Sequence, residues 1–204
     1  MAAVAVMPGS GKHRLQLLGV VIASGEFRLK TATDTYLDQP DRSRVLAAKA
    51  IAAAAAGTVL GAAAAATATG IALGFAASRG YPLALPGPAI AGYAGGTVIG
   101  SALLAAAGAG TGSLIRQQTS AIVAVVAWGL VIELVVGATV TALGRFLPYT
   151  AAAMLAGDTS GGGMPQIPRG VIALPYPAAI AVLAAVAVAL AAVAALTTVG
   201  RDVT

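Results

Sequence analysis

The chain has 204 residues, of which 58% are hydrophobic and only 9% are charged, and it contains no cysteine. Soluble domains carry about 25% charged residues, so this composition is typical of a protein whose solvent is lipid. The missing cysteines exclude disulfides, iron–sulfur clusters and thiol catalysis, and the single histidine, His13, excludes a bis-histidine haem site. The net charge of +5 comes with few aromatic residues and no basic face, so nucleic acid is not an expected partner.

Two features precede residue 25. The sequence Gly9–His13, GSGKH, is similar to the end of a phosphate-binding loop, but Val6 and His13 stand where that loop needs glycine and serine or threonine. We interpret it as a chance match and expect the chain to bind no nucleotide or other cofactor. The apolar run 15–24 is too short to cross a bilayer, so we expect only a partial span there.

Four later stretches reach the roughly 20 apolar residues that a transmembrane helix needs. They predict an all-α polytopic membrane protein, a single transmembrane domain over 1–204 with full spans at 45–77, 89–110, 119–143 and 172–199. Four-residue glycine spacing lets helix backbones approach closely, and it occurs in the first two spans at Gly57, Gly61, Gly92, Gly96 and Gly100. The segment 144–171 predicts a short helix at the outer surface, followed by a flexible loop.

Positive charges are unevenly divided between the two sides of these spans. One side, which includes loop 25–44 and the C-terminus, carries seven lysines and arginines. The other side carries three, or five if Lys12 and Arg14 lie there. Because cytoplasmic loops carry the excess of lysine and arginine, we expect a multi-pass plasma-membrane protein with loop 25–44 and the C-terminus in the cytoplasm.

Glu133 is an acidic residue inside the third predicted span. A carboxylate at that depth is costly unless it faces protein or water, or is protonated. One interpretation is a gate or substrate-pathway residue, and the other is a polar staple to a neighbouring helix, with Thr67 or Thr69 as candidate partners. Trp128 lies too deep in the same span for an interfacial aromatic belt, so we expect it to pack against protein.

Several motifs follow one another in a set order along the chain. They are Gly25-Glu26-Phe27-Arg28, a threonine-rich segment 31–37 followed by Pro40, Arg42 and Arg44, then Val45–Lys49, GTGSLIRQQTSAIVAVVAWGLVIE at Gly110–Glu133, LGRFLPYTAAAML at 143–155, and a final GRDVT. The ordered set resembles permease subunits of ABC transporters of the type-2 exporter family, particularly those of high-GC actinobacteria, over about residues 18–204. That family has six spans, so the resemblance implies that this chain lacks the first span and half of the second.

The resemblance implies a permease subunit that couples ATP hydrolysis by a separate subunit to substrate export and performs no chemistry itself. The implied partners are an ABC ATPase subunit, which binds the ATP, a second permease copy and the lipid bilayer. Loop 25–44 would contain a coupling helix that docks on the ATPase, and the implied docking residues are Glu26, Arg28, Thr33, Tyr36, Leu37 and Pro40. Two alternatives stay open: a proton-coupled secondary transporter that uses Glu133, and a non-transporting helical membrane scaffold.

Overall fold

The computed structural model describes residues 42–80, 85–115, 117–157 and 172–199. These residues form seven α-helices and one π-helical turn. The helices are α1 (Arg42–Arg79), α2 (Gly87–Leu114), α3 (Gln118–Ala127), α4 (Glu133–Thr139), α5 (Thr141–Gly144), α6 (Pro148–Leu155) and α7 (Tyr176–Val199), and the π-helical turn Trp128–Ile132 joins α3 to α4.

Within the described residues, four helical segments are long and apolar enough to cross a membrane. They are Arg44–Arg79, Gly87–Leu114, Gln118–Thr139 and Tyr176–Thr197. The described residues are therefore helical as expected, and they contain four helices that could span a membrane, as in a multi-pass membrane protein. The segment Gln118–Thr139, named the third span below, ends before the predicted residue 143 because Val140 leaves the helical conformation, with φ −126° and ψ 78°.

Helices α1 and α2 pack closely in antiparallel orientation, and small residues line their contact. A Cβ atom on Gly57 would lie 2.6 Å from the carbonyl oxygen of Ser101, and one on Gly61 would lie 2.7 Å from the Ser101 Cβ. Ala53 lies in a small buried cluster with two alanines of α2. The close approach that the glycine spacing predicts is therefore present at this interface.

Helices α2 and α7 run parallel to each other. Near their starts, the Tyr176 hydroxyl donates a hydrogen bond of 3.3 Å to the carbonyl oxygen of Gly92. Near their ends, a Cβ on Gly110 would lie 2.9 Å from the Leu190 Cβ. Since α2 also contacts α1, α3 and α6, it is the central helix of the bundle.

Helix α6 lies inside the bundle and packs against α2 and α7. All of its residues are buried, and Ala152 and Leu155 belong to a core cluster with Leu104 of α2 and Leu183 of α7. The backbone of Leu155 rests directly on Gly96, where a Cβ would overlap the Leu155 carbonyl group. The expected short helix is therefore present, and it is buried against α2 and α7 because glycines of α2 leave room for its small apolar residues. Its expected place on the outer side of the membrane stays a prediction.

The third span is sparsely buried, to the same extent as the spans in α1 and α7. Only Ala121, Val125, Glu133 and Gly137 are buried along it. Trp128 is 42% exposed, so the expectation that its ring packs against protein was wrong: it stands in the π-helical turn, none of whose residues is buried.

Candidate functional site

The Glu133 carboxylate is a buried acidic group that joins the third span to α6. Its side chain is 4% exposed. Its Oε1 accepts a hydrogen bond of 2.6 Å from the backbone N–H of Thr150, and its Oε2 accepts one of 3.2 Å from the backbone N–H of Tyr149. The carboxylate thus binds two consecutive amides at the start of another helix.

These two amides need an acceptor from outside α6. Leu147 occupies the N-cap position and has no side-chain oxygen to offer. Pro148 has no N–H, and the N–H of Ala151 already donates to the Leu147 carbonyl at 2.8 Å. Glu133 therefore performs from the third span the task that a serine or aspartate usually performs at the N-cap. The positive end of the helix dipole further favours a carboxylate there.

Tyr149 is the neutral polar neighbour of this carboxylate. Burial raises the pKa of the Tyr149 phenol well above its ordinary value of 10.0, and the charge of Glu133 raises it further. The phenol is therefore protonated throughout the physiological range. Nearby in the chain, the Arg145 guanidinium lies over the Phe146 ring, 4.8 Å from its centroid, which is a cation–π contact.

The structure brings Glu133 to partners that the sequence analysis did not name. The candidates were threonine hydroxyls of the first span, but the Thr67 hydroxyl donates to the Ala63 carbonyl of its own helix at 2.7 Å. The signal that pointed to the true partners was the Leu147-Pro148 pair, which starts a helix without a polar cap. Glu133 is the only acidic residue between Asp41 and Asp158, so it was the only carboxylate within that range that could provide one.

The other residues singled out in the sequence lie outside the described part of the chain. They are the short apolar run 15–24, the GSGKH sequence, and the implied ATPase-docking residues Glu26, Arg28, Thr33, Tyr36, Leu37 and Pro40. The docking assignments therefore stay predictions.

The described residues contain no group of three or more histidine, cysteine, aspartate or glutamate side chains that could hold a metal ion. What they do contain is a buried carboxylate that accepts hydrogen bonds from two amides at the N-terminus of a buried helix. No protein-family model, curated protein or solved structure matches this chain.

Proposed function

We propose that the chain is the membrane-spanning permease subunit of an ATP-driven ABC exporter of the type-2 class. The observation that carries the proposal is the place of the resembling motifs on a four-span helical bundle. Val45–Lys49 lies in the opening turns of α1, and the sequence that begins at Gly110 runs through the connection between α2 and the third span. The motif LGRFLPYTAAAML leads into and forms the buried helix α6.

In this proposal the protein works as a mechanical transmitter. A cytoplasmic ATPase subunit binds loop 25–44, and closure of a pair of ATPases displaces the start of α1. Because α1 and α2 touch through Gly57 and Gly61, the displacement passes to the central helix, and the bundle rocks to open an outward path. A second permease copy completes the path.

Association with the ATPase tests the proposal directly. Tyr36 and Leu37 are the apolar anchors of the proposed coupling helix, and such anchors dominate interface energies. The double substitution Tyr36→Ala with Leu37→Ala should weaken ATPase association by on the order of 2 kcal/mol or more. The measurement is co-purification of the ATPase subunit in detergent. Arg42→Ala is the matched control, because a rim charge contributes little.

Two outcomes would contradict the permease assignment. One is that no ATPase subunit co-purifies with the unaltered chain. The other is that the double alanine variant inserts normally into the membrane and retains the ATPase in full.

A proton-coupled transporter is the second candidate, and the buried carboxylate of Glu133 within a span is the observation that favours it. Since both carboxylate oxygens accept backbone hydrogen bonds, protonation of one oxygen would weaken its bond in each cycle. Flux driven by a proton gradient, without an ATPase and abolished by Glu133→Gln, would select this candidate over the first.

A further inference from the structure

The π-helical turn Trp128–Ile132 decides which residue of the third span faces α6. An α-helix turns by about 100° per residue, so an uninterrupted helix from Ala121 would leave Glu133 about 120° away from the buried face. A π-helical turn is wider and takes in one extra residue. With that residue absorbed, Glu133 lies only about 20° from Ala121, which agrees with the burial of both side chains.

Little packing holds the π geometry in place. None of the five residues of the turn is buried, and Leu130 and Val131 are 55% and 58% exposed. Helix α4, which follows, packs mainly against the turn itself and α5. A change of the turn to α geometry would therefore alter few contacts other than those of the buried Glu133 and Gly137.

We propose that the π-helical turn is a register switch that exchanges Glu133 for Ile132 at the start of α6. In the observed register, Glu133 caps α6. In the shifted register, the turn becomes α-helical, α4 rotates by about 100°, and Ile132 takes the position that faces Tyr149 and Thr150. An apolar side chain then replaces the charged acceptor, and the N-terminus of α6 loosens.

In this switch, rotation of the weakly packed helix α4 is coupled to release of the N-terminus of the buried helix α6. π-helical turns are rare and often occur at functional sites, and here the turn directly precedes the only acidic residue of the described chain. The inference concerns motion of the chain itself, so it stands whether the protein works with an ATPase or with a proton gradient.

Disulfide trapping distinguishes the two registers, and the chain has no native cysteine to interfere. The full chain in lipid vesicles would carry Thr150→Cys with one partner substitution and be treated with a mild oxidant. The pair with Ile132→Cys reports the shifted register, and the pair with Glu133→Cys reports the observed one. The pair with Leu134→Cys is the control, because Leu134 faces away from α6 in both registers.

Deletion of Leu130 should hold the third span in the register that places Glu133 against α6. It removes the extra residue, so the third span becomes a regular helix with Glu133 still facing α6. We expect the Ile132 pair to form a disulfide in the full-length chain, and the yield to fall to the level of the Leu134 control in the deletion variant. Deletion of Val131 repeats the test if the first variant does not insert into the membrane.

Amide hydrogen exchange gives an independent readout. The backbone amides of Tyr149 and Thr150 should exchange more slowly in the deletion variant than in the full-length chain, because the locked helix cannot remove its cap. Equal exchange rates would overturn the switch. So would an Ile132 pair that reacts no more than the Leu134 control while the Glu133 pair reacts, or a yield that the deletion leaves unchanged.

Discussion

The two ends of α6 are held by different kinds of contact. At its C-terminal end, the Leu155 backbone rests on Gly96 of α2, in a place that is open only because glycine has no side chain. At its N-terminal end, the Glu133 carboxylate accepts hydrogen bonds from two backbone amides. The first contact depends on shape and is broken by adding an atom. The second contact depends on charge and is broken by removing the carboxylate.

A substitution at the C-terminal end of α6, where the contact with Gly96 depends on shape, should cause the largest loss of stability. In Gly96→Ala, the new Cβ would lie 2.7 Å from the Leu155 carbonyl carbon and 3.2 Å from its Cα, and backbone atoms cannot move aside as a flexible side chain can. We expect a loss of about 3 kcal/mol in the free energy of unfolding, measured by denaturant titration in detergent.

Gly92→Ala is the matched control for this substitution, one helical turn away on α2. A Cβ there would meet nothing within 4 Å, and alanine favours helix over glycine, so no loss is expected. Equal destabilisation by the two substitutions would show that α6 does not rest on Gly96.

Substitutions of Glu133, at the N-terminal end of α6, should cause intermediate losses of stability, and the loss should be larger for alanine than for glutamine. Glu133→Ala removes both acceptors and leaves two buried amides unsatisfied, so we expect a loss of about 2 kcal/mol in unfolding free energy. Glu133→Gln keeps one acceptor oxygen, and its loss should be about half as large.

Thr139→Ala is the control for the Glu133 series, because the Thr139 hydroxyl donates only within its own span, to Val135 and Val136. If the alanine and glutamine variants of Glu133 proved equally stable, the two hydrogen bonds would not be what holds this end of α6.

The smallest expected effect is the pH dependence of stability that Tyr149 contributes at the N-terminal end of α6. The Tyr149 pKa is raised above 10.0 by burial first and by Glu133 second, so the folded state keeps a proton that the unfolded state loses. Stability from this group is complete below pH 10.0 and declines as the pH rises above it, by up to about 1.4 kcal/mol per pH unit.

Tyr149→Phe should flatten this alkaline decline, whereas Tyr93→Phe, on the exposed side of α2, should leave it in place. Unfolding titrations at several pH values above 10.0 would measure both slopes. A decline that persists unchanged in the Tyr149 variant would assign it to another group.

Much of the bundle could be read from periodicity and composition. The four spans follow from the length of the apolar stretches, because a bilayer demands about 20 apolar residues. The contact of α1 with α2 follows from glycines at four-residue spacing, which place the missing side chains on one face. The same rule does not single out Gly110, which contacts Leu190, and a Cβ on Gly92 would meet nothing within 4 Å in this chain.

The structure of the third span was less predictable. Trp128 and Glu133 lie in one apolar stretch, and a regular helix would have assigned their faces by simple counting. The π-helical turn breaks that count, and apolar composition contains no signal for such a turn.

By itself, the sequence determined that this protein is a helical bundle for a membrane, because backbone polar groups in lipid must be satisfied within each helix. It also determined that the one carboxylate of the third span needs a polar partner. Which partner it has was decided only by tertiary structure. The C-terminal end of α6 packs against Gly96, and its N-terminal end follows a leucine N-cap and begins with a proline. Its uncapped amides therefore lie against Glu133. That juxtaposition joins residues distant in sequence, and no local pattern records it.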